Sequence, residues 1–156
     1  MDPDASQVWI DGSSSVHAIH AAATGVTGWI ELDAAAGVAG EVHIAVDRLA
    51  SGNALVDRET RNRIDATHFP EIVGAVTAAE PIDSERWAVT GDITFRGETR
   101  SVAGELVVSL DTGQLIVEGT QTFDVRDWGL QPPKIGFLRV HPDVRVRIRA
   151  VANAVS

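Results

Sequence analysis

The chain has 156 residues and a formal charge of −9, and it contains no cysteine. That length suits one domain, spanning 1–156, which buries roughly two-thirds of its unfolded surface and needs neither disulfide nor metal to fold. The acidic balance argues against nucleic acid or an anionic membrane as the main partner, since both require positive surface, and the missing cysteines remove thiol catalysis and thiolate metal sites.

The first residues, Met1 to Ser6, lack the basic and apolar regions of a secretory signal, and no apolar run approaches the ~20 residues of a membrane span. The chain as it stands therefore reads as cytoplasmic. Val16–Ala22 and Thr27–Asp33 read as strands around a Thr24-Gly25 turn. Glu41–Arg48 alternates Val42, Ile44 and Val46 against His43, Ala45 and Asp47, the period-two signature of a half-buried strand. The pattern then stops at Ser51-Gly52-Asn53. A short helix is expected over about residues 54–66, capped by Asn53, with Asp57 and Glu59 near its positive end. Its apolar positions, Leu55 and Ile64, are sparse, which suits a helix lying over an opening. Phe69-Pro70 ends the segment, because a residue before proline is pushed out of the α region.

Strands resume at Ile72–Ala79 and again from Trp87 to Val108, where two alternating arms flank an Arg96-Gly97-Glu98-Thr99 turn. Trp87, Val89, Ile93 and Phe95 share one face of the first arm, and Val102, Leu106 and Val108 share one face of the second. Gly91 and Gly104 occupy that dry face, and Gly119 follows in the next strand, Leu115–Val125. A side chain missing from an inward face leaves room for a neighbour, a bend or a cavity. Asp127–Pro142 reads as a long loop, and Val144, Val146 and Ile148 then alternate with Arg145, Arg147 and Arg149. An arginine row does not face an apolar interior unpaired, so it faces water. The expected fold is all-β: an eight-stranded antiparallel β-barrel with one helical interruption, of about the width that side chains fill or that holds one small ligand.

In order along the chain, several blocks resemble the YceI-like family, whose lipocalin-like barrels hold long apolar lipids such as polyisoprenoids. Ile10-Asp11 with Ser15 is similar to the family's opening Ile-Asp-x-x-His-Ser, and Ser51-Gly52-Asn53 with Asp57 to its Thr-Gly-Asn…Asp. Asp65-Ala-Thr-His-Phe-Pro-Glu-Ile72 resembles the stretch after the family's helix. Val89-Thr-Gly-Asp-Ile-Thr-Phe-Arg-Gly97 is similar to its glycine-bearing hairpin, and Arg126-Asp127-Trp128-Gly129 to the end of its seventh strand. Ser14 departs from the pattern, standing where the family usually has histidine, and a second family histidine of the first strand has no counterpart.

The resemblance implies an apolar ligand (a polyisoprenoid, an isoprenoid quinone or a fatty-acyl chain), with no cofactor and no catalysis. Trp29, Ile44, Val46, Phe69, Trp87, Val89, Ile93, Phe95, Leu106, Val108, Phe123, Trp128, Val144, Val146 and Ile148 would line the cavity. Gln121, the polar member of its strand's apolar row, either orients a head group or is hydrogen-bonded near a rim. The competing readings are a filled-core barrel acting as a protein-interaction or stress-related module, and an isomerase of lipid substrates. A homodimer through an exposed strand edge or loop is a further expectation. His17, His20, His43, His68 and His141 repeat no known ligand spacing, so no metal site is expected. Asp92, Glu98 and Glu105 alternate toward solvent, and Ser13-Ser14-Ser15 lacks a nucleophile elbow, so no catalytic group is assigned.

Overall fold

The structure is a computed structural model that describes residues 1–15, 18–33, 37–130, 134–135 and 138–153. The strands are β1 (Gln7–Ser13), β2 (Ala18–Thr24), β3 (Thr27–Asp33), β4 (Gly37–Ala45), β5 (Glu71–Pro81), β6 (Arg86–Phe95), β7 (Glu98–Asp111), β8 (Gln114–Asp124), β9 (Lys134–Ile135), β10 (Leu138–Arg139) and β11 (Asp143–Asn153). One helix, α1 (Ala54–Ile64), interrupts them. A nine-stranded antiparallel sheet runs β2-β1-β11-β8-β7-β6-β5-β4-β3, and β9 pairs with β10 apart from it. The sheet curls into a lipocalin-like barrel. Edge strand β2 is bridged where Ala22 exchanges backbone hydrogen bonds of 3.1 Å in both directions with Ala50, in the segment between β4 and the helix.

The main sheet thus has nine strands where eight were expected. The additional strand is β1, whose Val8, Ile10 and Gly12 face inward while Trp9 faces out beneath the Arg147 guanidinium, 4.3 Å from the ring centroid. Apolar side chains on both faces, Val8 and Ile10 on one and Trp9 on the other, blur a period-two pattern. The expected strand start at Val16, the position of His17, and Pro132, Pro133 and Gly136 of the expected loop lie outside the described residues.

Local chemistry fixes the elements. Arg96-Gly97 and Thr112-Gly113 join their strands as two-residue loops with positive φ at both positions (54° and 75°, 47° and 80°). That is the primed turn whose twist matches the flanking strands. The Asn53 carboxamide oxygen accepts from the backbone N–H of Leu55 and Val56 at 3.0 and 3.2 Å, satisfying two orphan donors of α1. Asp65, in the left-handed region at φ 60°, ends the helix.

Register locks the rows. Opposite residues such as Val144 and Phe123, Ile148 and Gly119, or Ile93 and Gly74 share the inner face across neighbouring strands. Arg145, Arg147 and Arg149 point outward, as their alternation requires. Val38, Val108, Leu115, Val117, Ala150 and Ala152 pack together at one end with Trp87 and Leu106 against them, and this end is filled. At the other end Val46, Ile64 and Leu130 form a smaller cluster under α1.

On the outer face His43 is clasped by two carboxylates, with Nε2 2.6 Å from Glu41 and Nδ1 2.9 Å from Glu71. The Glu71 hydrogen bond is the main influence raising its pKa above 6.5, opposed by partial burial and helped by Glu41. A raised folded-state value means that the stabilisation is complete below the unfolded pKa and disappears as pH rises through the folded one. His43→Gln is therefore expected to cost more stability at about pH 5.5 than at about pH 8.5 in urea melts. An equal cost at both would contradict the clasp.

Candidate functional site

The inward rows do not meet along the whole axis. Between the filled end and α1 lie two adjoining cavities, about 340 Å³ on the helix side and about 210 Å³ toward the filled end. Val42, Gly74, Ile93, Phe123, Val146 and Ile148 border both, so the two are chambers of one apolar tube with a neck between them.

The helix-side chamber is walled by Ile44, Val46, Phe95, Val144 and Trp128. The Trp128 indole N–H donates to the Ile93 carbonyl at 3.0 Å, and the ring meets Phe123 edge-on, 5.8 Å between centroids at 84°. With its one polar atom satisfied, the indole presents an apolar surface to the chamber. The roof is α1: Val56, Asp57, Thr60, Arg61 and Ile64 border the chamber, and at about 100° per residue these positions share one helix face. The lower chamber takes Val89, Leu106 and Gln121. Trp29 also borders it, although its register opposite Glu41 puts its side chain in the outward row and it is 50% exposed.

Three residues expected in the lining lie elsewhere. Val108 and Trp87 belong to the filled end, where the Trp87 ring occupies the space beside Gly37. Phe69 is exposed and lies over the Gly97 turn. Alternation assigns a residue to the inner face and says nothing about its height along the axis, so plug and lining look alike in sequence. Reading by strand faces also passed over Ile10, Ile19, Ala21 and Ile72, which border the helix-side chamber. The alternation of Val8, Ile10 and Gly12 carried a usable signal for that wall.

The three inward glycines act differently. A Cβ on Gly91 would lie 2.5 Å from the Ala75 carbonyl oxygen, so this glycine answers the close approach of β5 at its Val76/Ala78 irregularity. Gly119 makes room for the Leu106 side chain, 2.7 Å from a built Cβ. At Gly104 a Cβ would meet only Gln121 within 4 Å, its Oε1 at 3.4 Å. Gly104 is thus the one of the three that leaves lumen open.

Polar groups gather at the helix end, where Ser51, Asp57, Thr60, Arg61 and His141 border the chamber. The Asp57 carboxylate is turned to Ser51, accepting from its hydroxyl at 2.7 Å and its backbone N–H at 3.0 Å. His141 Nδ1 lies 2.9 Å from the Ser13 hydroxyl. Among the described residues the buried polar side chains are Ser6 and Ser14, and no ionisable group is buried. No grouping of three His, Asp or Glu side chains suited to a metal occurs among them either. The arrangement is a greasy sleeve with a polar rim.

The family model for the YceI-like domain matches residues 1–152. Solved structures share the fold, three of them as follows. BcnA from Burkholderia cenocepacia superposes with a TM-score of 0.87 at 16% identity, over 97% of this chain and 99% of that one. A polyisoprenoid-binding domain from Saccharophagus degradans, implicated in plant cell wall breakdown, gives 0.81 at 13%, over 99% and 97%. The YceI protein of Campylobacter jejuni gives 0.71 at 17%, over 84% and 82%. A search of curated proteins finds no match to the chain.

Gly91→Ala drives a methyl into a carbonyl oxygen that belongs to a hydrogen-bonded strand. It is expected to cost about 1–3 kcal/mol in urea melts, the range for overpacked positions. A neutral effect would show that β5 moves aside freely.

Proposed function

Because the chain belongs to the YceI-like family, we propose that its barrel takes up one long apolar lipid, of isoprenoid or fatty-acyl type, and carries or sequesters it in the cytoplasm without chemistry. The observation that carries this reading is the two-chamber tube, about 340 and 210 Å³, walled by aliphatic and aromatic side chains. Ligand pockets typically measure about 300–1,000 Å³ and are mostly apolar with a few convergent polar groups. A flexible chain suits such a wall, since each buried CH₂ contributes about 0.8 kcal/mol with no directional contact. The polyisoprenoid-binding description of the Saccharophagus degradans neighbour points the same way. A filled-core barrel has no use for a lumen that Gly104 leaves open. An isomerase would need an ionisable group held in the apolar interior, and among the described residues none is buried.

Organic extracts of the purified protein are expected to yield one dominant lipid by mass spectrometry, and delipidated protein to take up a C20 prenol. No lipid in repeated preparations, together with no uptake, overturns the proposal. Gly104→Leu extends a side chain into the lower chamber. It is expected to weaken binding of long prenols about tenfold, the worth of roughly two displaced methylenes, while a chain short enough to stop at the neck binds as before.

A further inference from the structure

The chamber under α1 has a cation at its edge that makes no ion pair among the described residues. Arg61 borders the chamber and is half-buried, and among the described residues its guanidinium makes no hydrogen bond or ion pair. Arg86, Arg100 and Arg126 are paired with Asp83, Glu98 and Asp124. Arg58 and Arg63 of the same helix are, among the described residues, unpaired like Arg61 but exposed to solvent, which leaves Arg61 as the helix's arginine at the chamber. The carboxylate best placed to pair with Arg61 is Asp57, four residues earlier on the same helix face. Its Oδ1 instead accepts from the Ser51 hydroxyl and N–H, which turns the carboxylate toward Ser51. Thr60, whose hydroxyl has no hydrogen bond among the described residues, and His141, whose ring is tied through Nδ1 to Ser13, border the same chamber.

Resting on the lipid-binding reading above, we propose that the ligand of this barrel carries an acidic head group, a phosphate or carboxylate, and that Arg61 binds it at the helix-end mouth. A guanidinium is a planar fork of donors that fits either group bidentately, and such charge-assisted pairs gain strength where water is partly excluded. The chain then runs from Arg61 through the neck between Ile93, Phe123 and Val146 toward Gly104. This assignment sets the direction of the lipid, head under α1 and tail toward the filled end. It also gives α1 a part in selection beyond covering the opening. Arg61 stands in the last turn of α1, where a cation also complements the helix dipole. Arg63, exposed in the same turn, serves that purpose on the solvent side.

The test compares lipids that differ only at the head, a C20 prenyl phosphate against the C20 prenol and a fatty acid against its alcohol. Each is titrated into the delipidated wild type, Arg61→Gln and Arg61→Lys. Wild type is expected to bind each acid about tenfold or more tightly than its alcohol, the worth of one charge-assisted contact. Arg61→Gln is expected to erase that preference, with the loss falling on the acids far more than on the alcohols, and Arg61→Lys to restore part of it. Inorganic phosphate alone is expected not to compete, which separates a lipid head group from free anion. Equal affinity of wild type for acid and alcohol, or a preference that survives in Arg61→Gln, overturns the proposal while leaving lipid binding intact. Failure of every lipid to bind wild type overturns the underlying reading instead.

Discussion

Everything in this molecule follows from one constraint: pairing register across nine strands sends alternate residues inward, and those residues are too small to fill the space they enclose. About eight strands make a barrel that its own side chains can only just close. Here the inward rows are built from valine, alanine, isoleucine and glycine, with Gly74, Gly104 and Gly119 near mid-height. Bulk is concentrated at the ends instead. Trp87 and Leu106 back the cluster at the filled end, and Trp128 with Phe123 stiffens the wall toward the helix. Between them the lumen stays open, and a lumen with these walls is a place for hydrocarbon.

The two ends are held by different forces, and this gives the tube a polarity. The filled end is knitted by aliphatic packing and by long ladders, β7 with β8 and β8 with β11. The helix end depends on a single helix. It is anchored by the Asn53 cap, the Ser51–Asp57 hydrogen bonds and the small cluster of Val46, Ile64 and Leu130. Elements with few buried contacts open at lower free energy than core ladders. Under the proposed function, entry of a lipid belongs at the helix end, with a head group at the polar rim there.

Much of this was legible in the sequence, and the parts that were not share a reason. Clean alternation marked β4 through β8 and β11, and Ser51-Gly52-Asn53 marked the start of α1, because these signals are local. β1 was missed because Trp9 on its outer face is stabilised by Arg147, a residue far along the chain. Most of the inner-face positions expected from Ile44 to Ile148 border the two chambers, whereas Trp87 and Val108 lie at the filled end. Height along the axis is set by stagger between strands, which no single strand encodes. For the same reason the sequence leaves a neighbour, a bend and a cavity equally open at Gly91. Its neighbour is the carbonyl of Ala75, brought close by an irregularity in β5.

The most direct measurement is a crystal structure of the protein purified without delipidation. The account predicts continuous, elongated non-protein density that starts beneath α1, passes the neck at Ile93, Phe123 and Val146, and ends beside Gly104 short of Trp87. Discrete ordered waters along that path, or side chains meeting across the axis at the neck, would contradict it.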